Sequence, residues 1–245
     1  MLYLARQLGR GLILFGVCTV VVPIVVAVVI FGSLLFMPLP ATLPEPRPIE
    51  ASQSSRVLDA QGNEIGVFNA FEQNLPVKPE DIPLILKQAV VSAEDSRFYR
   101  HSGVDIRGSG RALVRDLQGS ETLQGGSTIT QQYVKLTYTG KERTLARKVR
   151  EAVIASQLDR KVEKDEILFR YLSTISLGEG AYGAGAASET YFRKSVSQLT
   201  ASEAATIAGV IPAPSFYSPR DFPERAEQKR VLVLDKMLQL SLIHI

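Results

Sequence analysis

Glu94 lies where a carboxylate can take part in acid–base chemistry. It begins the sequence EDSRFYRHSG and follows Val90 by four residues on a stripe of apolar side chains with helical spacing. We therefore expect the Glu94 carboxylate to emerge beside apolar side chains at the mouth of a core. Partial loss of solvent raises the pKa of a carboxyl group and suits it to general-base catalysis. The alternative is a solvated helix end with ordinary acidic residues.

A second group of polar side chains follows two glycines. The sequence GGSTITQQ occupies residues 125–132, and Lys135 comes shortly after it. This pattern indicates a flexible loop that enters a helix, whose free amide groups can hold an anion or sugar hydroxyls. The same residues also fit a simple helix cap.

The segment from residue 135 to residue 150 is strongly basic. It contains six Lys and Arg side chains against one Glu, a local charge of +5. Arg147 and Lys148 precede Glu151 by four and three residues, so all three share one face of a helix. Such a group fits a phosphate-bearing ligand, because arginine supplies forked donors and lysine supplies a mobile point charge. A solvated basic face with one ion pair is the alternative.

Composition excludes several other classes of site. The chain has 245 residues, a net charge of only +3, one cysteine and two histidines, His101 and His244. A disulfide scaffold, a cysteine-rich zinc site and a metal site of several histidines are therefore excluded. Nucleic-acid binding is not indicated by the charge balance. Acid–base chemistry is expected to fall to carboxylates.

The first elements that position these residues are a membrane anchor and a spacer. No charged residue occurs from Gly11 to Pro44, and the apolar residues 12–37 form a helix of about 39 Å, more than the hydrocarbon core requires. Arginines precede this span, so the positive-inside rule places the N-terminus in the cytoplasm and the remainder outside it. The proline-rich residues that follow predict a stiff linker.

The outer part is predicted to be mainly α, with a small β element at its start. Residues 56–71 alternate around a turn and predict a hairpin. Helical spacing follows, with Asp81 predicted as the N-cap of the helix that ends at Glu94. Three further helices are predicted over residues 144–161 with Thr144 as cap, 166–177 and 223–238, and an apolar helix is predicted to follow the capping box at residues 200–203.

Residues 178–183 match the dinucleotide-binding pattern G-x-G-x-x-G, with Glu203 at the expected distance. That pattern must follow a strand, whereas residues 166–177 have helical spacing. The sequence therefore argues against a dinucleotide site.

Taken in order, the motifs resemble the peptidoglycan glycosyltransferases of glycosyltransferase family 51, the polymerase module of class A penicillin-binding proteins. The resemblance runs from about Leu84 to Leu238. It rests on EDSRFYRHSG (94–103), GGSTITQQ (125–132), RKVRE (147–151), KDEILFRYL (164–172) with GEGAYGAGAASETYF (178–192), and LTASEAATIAGVIPAPSFYSP (199–219).

The resemblance implies a lysozyme-like, mostly helical domain that polymerises lipid II into glycan strands. Glu94 would be the base that deprotonates the acceptor hydroxyl, which attacks MurNAc C1 with inversion and displaces undecaprenyl pyrophosphate. Glu151 would lie in the donor subsite with Arg147 and Lys148. A muramidase-type hydrolase on the same fold is the alternative, because paired carboxylates serve both reactions.

The resemblance also assigns the remaining site residues. Asp95 and His101 would orient Glu94 and its loop. No cofactor is required and no dedicated metal cage is present, although Mg²⁺ or Mn²⁺ could assist at the donor pyrophosphate. Ser173 stands where the family usually has asparagine, and serine cannot reproduce the hydrogen bonds of an amide. The residues expected to contact sugar or phosphate are Ser127, Thr128, Gln131, Gln132 and Lys135.

The implied location is the bacterial cytoplasmic membrane, spanned once, with the catalytic domain outside the cytoplasm. The expected partners are lipid II, the nascent glycan chain, the membrane and other cell wall synthesis proteins, with no nucleic acid.

The predicted layout places six parts along the chain. They are a cytoplasmic N-terminus (1–11), a transmembrane anchor (12–37), a Pro-rich linker (38–55), a small β-containing segment (56–79), the glycosyltransferase domain (80–239) and a non-native tail (240–245). The tail hypothesis rests on LSLIHI, the translation of a transposon end used to prepare sequencing libraries. A native stop codon directly after these codons in the intact locus would contradict it.

Overall fold

The computed structural model describes residues 19, 21–26, 29, 55–68, 73–106, 108, 126–139 and 144–243. The predicted cytoplasmic N-terminus, most of the predicted anchor and nearly all of the predicted linker lie outside these ranges. Lys141 and Arg143, two of the six basic residues of the segment 135–150, and His244 also lie outside them. Residues 21–26 are helical. No helix within the described ranges combines the length and apolar character needed to cross a membrane.

A two-stranded antiparallel hairpin precedes the helices of the outer part, as the sequence predicts. Strand β1 (Ser55–Leu58) pairs with strand β2 (Glu64–Phe68). The Asp59 carboxylate accepts hydrogen bonds from the backbone N–H groups of Gln61 and Asn63 at 2.9 and 2.8 Å, which fixes the turn between the strands.

Seven α-helices with defined bounds follow the hairpin in the described residues, and residues 106 and 108 are also helical. A short strand β3 (Gln73–Asn74) pairs in parallel with strand β4 (Ala181–Tyr182), and a π-helical turn (Lys135–Thr139) continues the second helix. The helices are α1 (Leu84–Glu94), α2 (Ile129–Val134), α3 (Leu145–Lys161), α4 (Lys164–Thr174), α5 (Gly183–Phe192), α6 (Ala201–Val210) and α7 (Pro223–Gln239).

Local sequence signals explain where several helices begin. The Thr144 hydroxyl accepts a hydrogen bond from the Arg147 N–H at 3.1 Å and caps α3. At the start of α6, Thr200 and Glu203 form the reciprocal capping box that the sequence predicts. These caps satisfy N–H groups that have no partner within the helix.

The prediction that Asp81 caps the first helix is wrong. Asp81 ends a short 3₁₀ turn, where its carboxylate accepts a hydrogen bond from the Lys78 N–H at 2.9 Å. The residue before a proline is held in extended backbone, so Ile82 cannot be helical ahead of Pro83. The helix α1 therefore begins only at Leu84.

The core forms where α1, α6 and α7 pack together, with α2 packed against α3 and α4. Alanines on α6 let the neighbouring helices approach closely. The predicted apolar face of α4 is buried, although this helix ends at Thr174 rather than at residue 177 because Ile175 is extended. Buried side chains include Leu86, Ala89, Val90, Ile167, Leu168, Tyr171, Leu172, Ala204, Ile207, Ala208, Ala226, Val233 and Met237.

The loop that follows α1 approaches the backbone of α3 at Gly103. Its φ is +81°, and an added Cβ would lie 2.3 Å from the carbonyl oxygen of Ala155. Only glycine fits both the left-handed conformation and the close approach. The loop that begins with Asp95 is thereby pressed against α3.

We expect Gly103→Ala to lower the free energy of unfolding by about 3 kcal/mol, since it adds backbone strain to a clash with backbone atoms. Gly62→Ala is the matched control. Its φ is also positive, at +87°, but nothing lies within 4 Å of the added Cβ, so strain alone should cost about 1 kcal/mol. Denaturant unfolding of the full chain measures both values, and equal costs would contradict the close approach.

Candidate active site

Glu94 is the last residue of α1, and its carboxylate is desolvated as the sequence predicts. Gln132 donates a hydrogen bond from Nε2 to Glu94 Oε2 at 2.7 Å. Burial raises the pKa of Glu94, while the Gln132 hydrogen bond and the positive charges of Lys236 and Lys229 lower it. Burial is the largest of these effects. A carboxylate with a raised pKa is suited to accept a proton.

Asp95, next in the chain, is buried and connects two segments. The His101 Nε2 lies 3.0 and 2.9 Å from the two Asp95 carboxylate oxygens. The Ile129 N–H, in the first turn of α2, donates to Asp95 Oδ2 at 3.2 Å. Asp95 therefore ties the loop after Glu94 to the start of α2, where the helix dipole favours a negative charge.

Lys164 holds the same loop from the side of α4. Its Nζ donates to the His101 carbonyl oxygen at 2.7 Å and to Asp159 Oδ1 at 2.6 Å. It also lies 4.6 Å from the centre of the Phe98 ring, within range of a cation–π interaction. The loop is thus fixed to α2, α3 and α4 at once.

Thr128 and Gln131 form the cap of α2. The Thr128 hydroxyl donates to the Gly103 carbonyl oxygen at 2.6 Å and accepts from the Gln131 N–H at 3.1 Å. The Gln131 side chain accepts from the Thr128 N–H at 3.0 Å. Both side chains are buried. In this structure they hold the loop and the helix together. For these two residues, the contacts are those of a helix cap, the alternative that the sequence also allows.

Glu151 is one of the most buried charged side chains among the described residues, at 1% exposure. The Arg147 Nη1 donates to Glu151 Oε1, the Thr139 hydroxyl donates to the same oxygen at 3.0 Å, and Lys148 Nζ lies 3.9 Å from Oε2. The sequence places Glu151 off the apolar stripe of α3, so its burial is unexpected. The π-helical turn that contains Thr139 contacts Glu151, which sequence periodicity cannot reveal.

Residues 126–139 connect the two carboxylates. At one end Ser127 accepts a hydrogen bond from Lys148 Nζ at 2.6 Å, and at the other Thr139 bonds Glu151. Between these contacts Gln132 bonds Glu94. Lys135 is exposed on the same segment. The structure therefore brings together both predicted acids and the predicted basic residues Arg147 and Lys148 around one segment.

Sequence reasoning missed two lysines on α7. Lys236 Nζ donates to the carbonyl oxygen of Ala93, the residue before Glu94, at 3.0 Å. Lys229 and Lys236 both act on the pKa of Glu94. The sequence contains a signal for this position. Lys229 and Lys236 are seven residues apart, so they lie on the same face of α7 as the buried Val233, and that face packs against the core.

Within the described residues, no group of three or more His, Cys, Asp or Glu side chains could hold a metal ion. The Glu151 carboxylate is bonded to Arg147 and Thr139, so it does not resemble the set of oxygen ligands that Mg²⁺ prefers. These residues do not fit a protein-held divalent cation.

The G-x-G-x-x-G sequence at residues 178–183 follows helix α4 and a short connection, so it lacks the strand that a dinucleotide site requires. A mainly helical domain with one desolvated carboxylate and a second carboxylate among cations instead fits the class of enzymes that make or break a bond at C1 of a sugar.

Residues 61–238 match the model of the family described as Transglycosylase. The chain belongs to this family, whose domain is that of the peptidoglycan glycosyltransferases of glycosyltransferase family 51. The resemblance identified from the motifs is confirmed.

Penicillin-binding proteins are among the similar sequences. Penicillin-binding protein 1A of Neisseria flavescens is 38% identical over 96% of this chain and 28% of its own length, and that of Aquifex aeolicus is 37% identical over 93% and 31%. Penicillin-binding protein 1F of Bacillus subtilis is 40% identical over 75% and 26%. The chain thus spans about a quarter to a third of these curated relatives.

A crystal structure of Penicillin-Binding Protein 1A from Haemophilus influenzae is also similar. It is 26% identical, with a TM-score of 0.45, over 80% of this chain and 20% of that one.

Proposed function

We propose that this chain polymerises lipid II into β-1,4-linked glycan strands in bacterial cell wall synthesis. The observation that carries the proposal is the desolvated Glu94, whose Oε2 is bonded by Gln132. Its Oε1 has no hydrogen-bond partner among the described residues and can accept the proton of a sugar hydroxyl.

In the proposed reaction, Glu94 takes the proton from the 4-hydroxyl of the acceptor GlcNAc. That oxygen forms a bond to C1 of the donor MurNAc while the bond from C1 to the pyrophosphate oxygen breaks. The electron pair leaves with undecaprenyl pyrophosphate, and the configuration at C1 inverts from α to β. A base on the face opposite the leaving group is what inversion requires.

The group of Arg147, Lys148 and Glu151 is proposed to stabilise the departing pyrophosphate. Glu151 is buried and holds Arg147, whereas the Lys148 side chain is half exposed and can reach a ligand. Placed cations stabilise charge that develops on a leaving group. Ser127 and the exposed Lys135 are proposed to contribute to the same subsite. Mg²⁺ or Mn²⁺, which the proposed reaction does not require, would bind through the substrate pyrophosphate.

The surroundings of the domain are part of the proposal. We place it outside the cytoplasm on a single N-terminal anchor, with a lysozyme-like fold, in contact with lipid II, the nascent glycan and other cell wall synthesis proteins. Support comes from the uncharged residues 12–37 and from relatives whose names are those of penicillin-binding proteins.

The test supplies fluorescent lipid II to the detergent-solubilised full chain and measures glycan length by gel electrophoresis. Long glycan chains are expected. Degradation of finished glycan without polymerisation would overturn the proposal and indicate the hydrolase, which the family match does not favour.

A further inference from the structure

A hydrogen-bonded series connects the core to Glu94. Tyr171 on α4 is fully buried, and its hydroxyl donates to Gln132 Oε1 at 2.7 Å. Gln132 in turn donates from Nε2 to Glu94 Oε2 at 2.7 Å. Tyr171 itself makes no contact with solvent, so it cannot contact a substrate directly.

The groups at the two ends of this series, the Glu94 carboxylate and the Tyr171 hydroxyl, determine which atoms donate and which accept. An ionised carboxylate only accepts hydrogen bonds, so Gln132 must present its amide NH₂ group to Glu94. Burial raises the pKa of Tyr171 well above its ordinary value, so the phenol keeps its proton and can donate. The amide oxygen of Gln132 therefore accepts the hydrogen bond from the Tyr171 hydroxyl. A Gln132 side chain rotated by half a turn would place its oxygen against the carboxylate.

From this geometry we infer that Tyr171 is a positioning residue, which holds the amide of Gln132 in the orientation that keeps Glu94 ionised and ready to accept a proton. The expected effect on the reaction rate rests on the proposed function, whereas the hydrogen bonds from Tyr171 to Gln132 and from Gln132 to Glu94 do not depend on it. Tyr171 lies in the motif KDEILFRYL, to which the family resemblance assigns no residue of the chemistry.

The expected pH effect follows from all the groups that face Glu94. Lys236 and Lys229 on α7 and the Gln132 amide on α2 lower the pKa of Glu94, while burial and the negative charge of Asp95 raise it. Tyr171→Phe leaves Gln132 free to rotate and weakens the Gln132 contribution. The pKa of Glu94 should then rise further, and a base that must be ionised needs a higher pH to act.

The experiment measures initial rates of lipid II polymerisation against pH. Tyr171→Phe is expected to lower kcat by about three- to tenfold at neutral pH, the effect of one hydrogen bond. The acidic limb of the profile should move to higher pH, with KM for lipid II unchanged. A shift of KM alone, or an unchanged profile, would overturn the inference.

Tyr191→Phe is the matched control. The Tyr191 hydroxyl also donates a hydrogen bond at 2.7 Å, to the Leu177 carbonyl oxygen, and has no link to Glu94. It should lower stability but leave the pH profile in place. An equal shift of the profile in this variant would assign the Tyr171 effect to general loss of packing.

A double-mutant cycle tests whether Tyr171 acts through Gln132. In a Gln132→Met background, Tyr171→Phe is expected to have no further effect on kcat, because the residue that it orients is absent. Additive losses would overturn the inference. If Tyr171→Phe does not fold, Tyr171→3-fluorotyrosine keeps the shape with a more acidic hydroxyl, and should move the acidic limb to lower pH.

A titration without substrate separates this inference from the proposed function. Carbon-13 NMR of the full chain labelled at glutamate side-chain carboxyls follows Glu94, whose signal is identified by its absence in Glu94→Gln. A higher titration midpoint in Tyr171→Phe supports the inference even if lipid II is not polymerised. Equal midpoints overturn it even if polymerisation proceeds.

Discussion

Replacing Glu94 with Gln is expected to reduce the rate of lipid II polymerisation by about 10²–10⁴-fold, the usual contribution of a general base. Gln keeps the size and shape of the side chain and can still contact Gln132, but it cannot take a proton from the acceptor hydroxyl. The loss should therefore appear in kcat, with little change in KM, and steady-state polymerisation assays measure both.

Glu94→Gln should not unfold the domain. The folded-state pKa of Glu94 is raised by burial, so the unfolded chain loses this proton at lower pH and stability falls as pH rises between the two pKa values. A neutral Gln removes that fall, and the melting temperature at neutral pH should be equal to or above that of the wild type. Glu80→Gln, at an exposed position, is the control for both measurements. Full activity of Glu94→Gln would exclude Glu94 as the base.

Glu151→Gln is expected to have the second largest effect. Arg147 is only 15% exposed, and loss of its carboxylate partner leaves a largely buried charge without compensation. Removal of one partner of a buried ion pair costs about 3–5 kcal/mol. Because Arg147 would also lose its fixed position, we expect the polymerisation rate to fall by about 10²-fold or more. Denaturant unfolding and polymerisation assays measure the two effects separately.

The pair Glu166 and Arg170 provides a matched control for Glu151. It has the same spacing on a helix and an N–O distance of 2.6 Å, but its side chains are 39% and 29% exposed. Glu166→Gln should cost only about 0.3–0.5 kcal/mol and leave activity intact. The double variant Glu151→Met with Arg147→Met should recover stability but not activity. Recovery of both would show that the pair only stabilises the fold.

Several elements could be predicted because their causes are local. The hairpin at the start, the caps at Thr144 and Thr200 and the apolar face of α4 depend on residues within a few positions of one another. The desolvated position of Glu94 also followed from its place on an amphipathic stripe. The error at Asp81 was local as well, since Pro83 outweighs a capping side chain.

The contacts that define the candidate site connect distant parts of the chain. Gln132 lies 38 residues from Glu94, Tyr171 lies 39 residues from Gln132, and Lys236 lies 143 residues from Ala93. No periodicity or spacing in one segment encodes such pairs. Glu151 is a further example. It lies off the apolar stripe of its own helix, and the π-helical turn that contains Thr139 contacts it in the buried position.

The sequence by itself determined the family and the mainly helical class, and it predicted the two carboxylates, because motif order and helical periodicity can be recognised in short stretches of residues. Tertiary packing alone decided which groups shift the pKa of Glu94. It also decided that Thr128 and Gln131 hold a loop against a helix, and that Glu151 is buried with Arg147. The physical reason is that burial and hydrogen bonding depend on which segments are brought into contact, and these contacts form only when the helices pack.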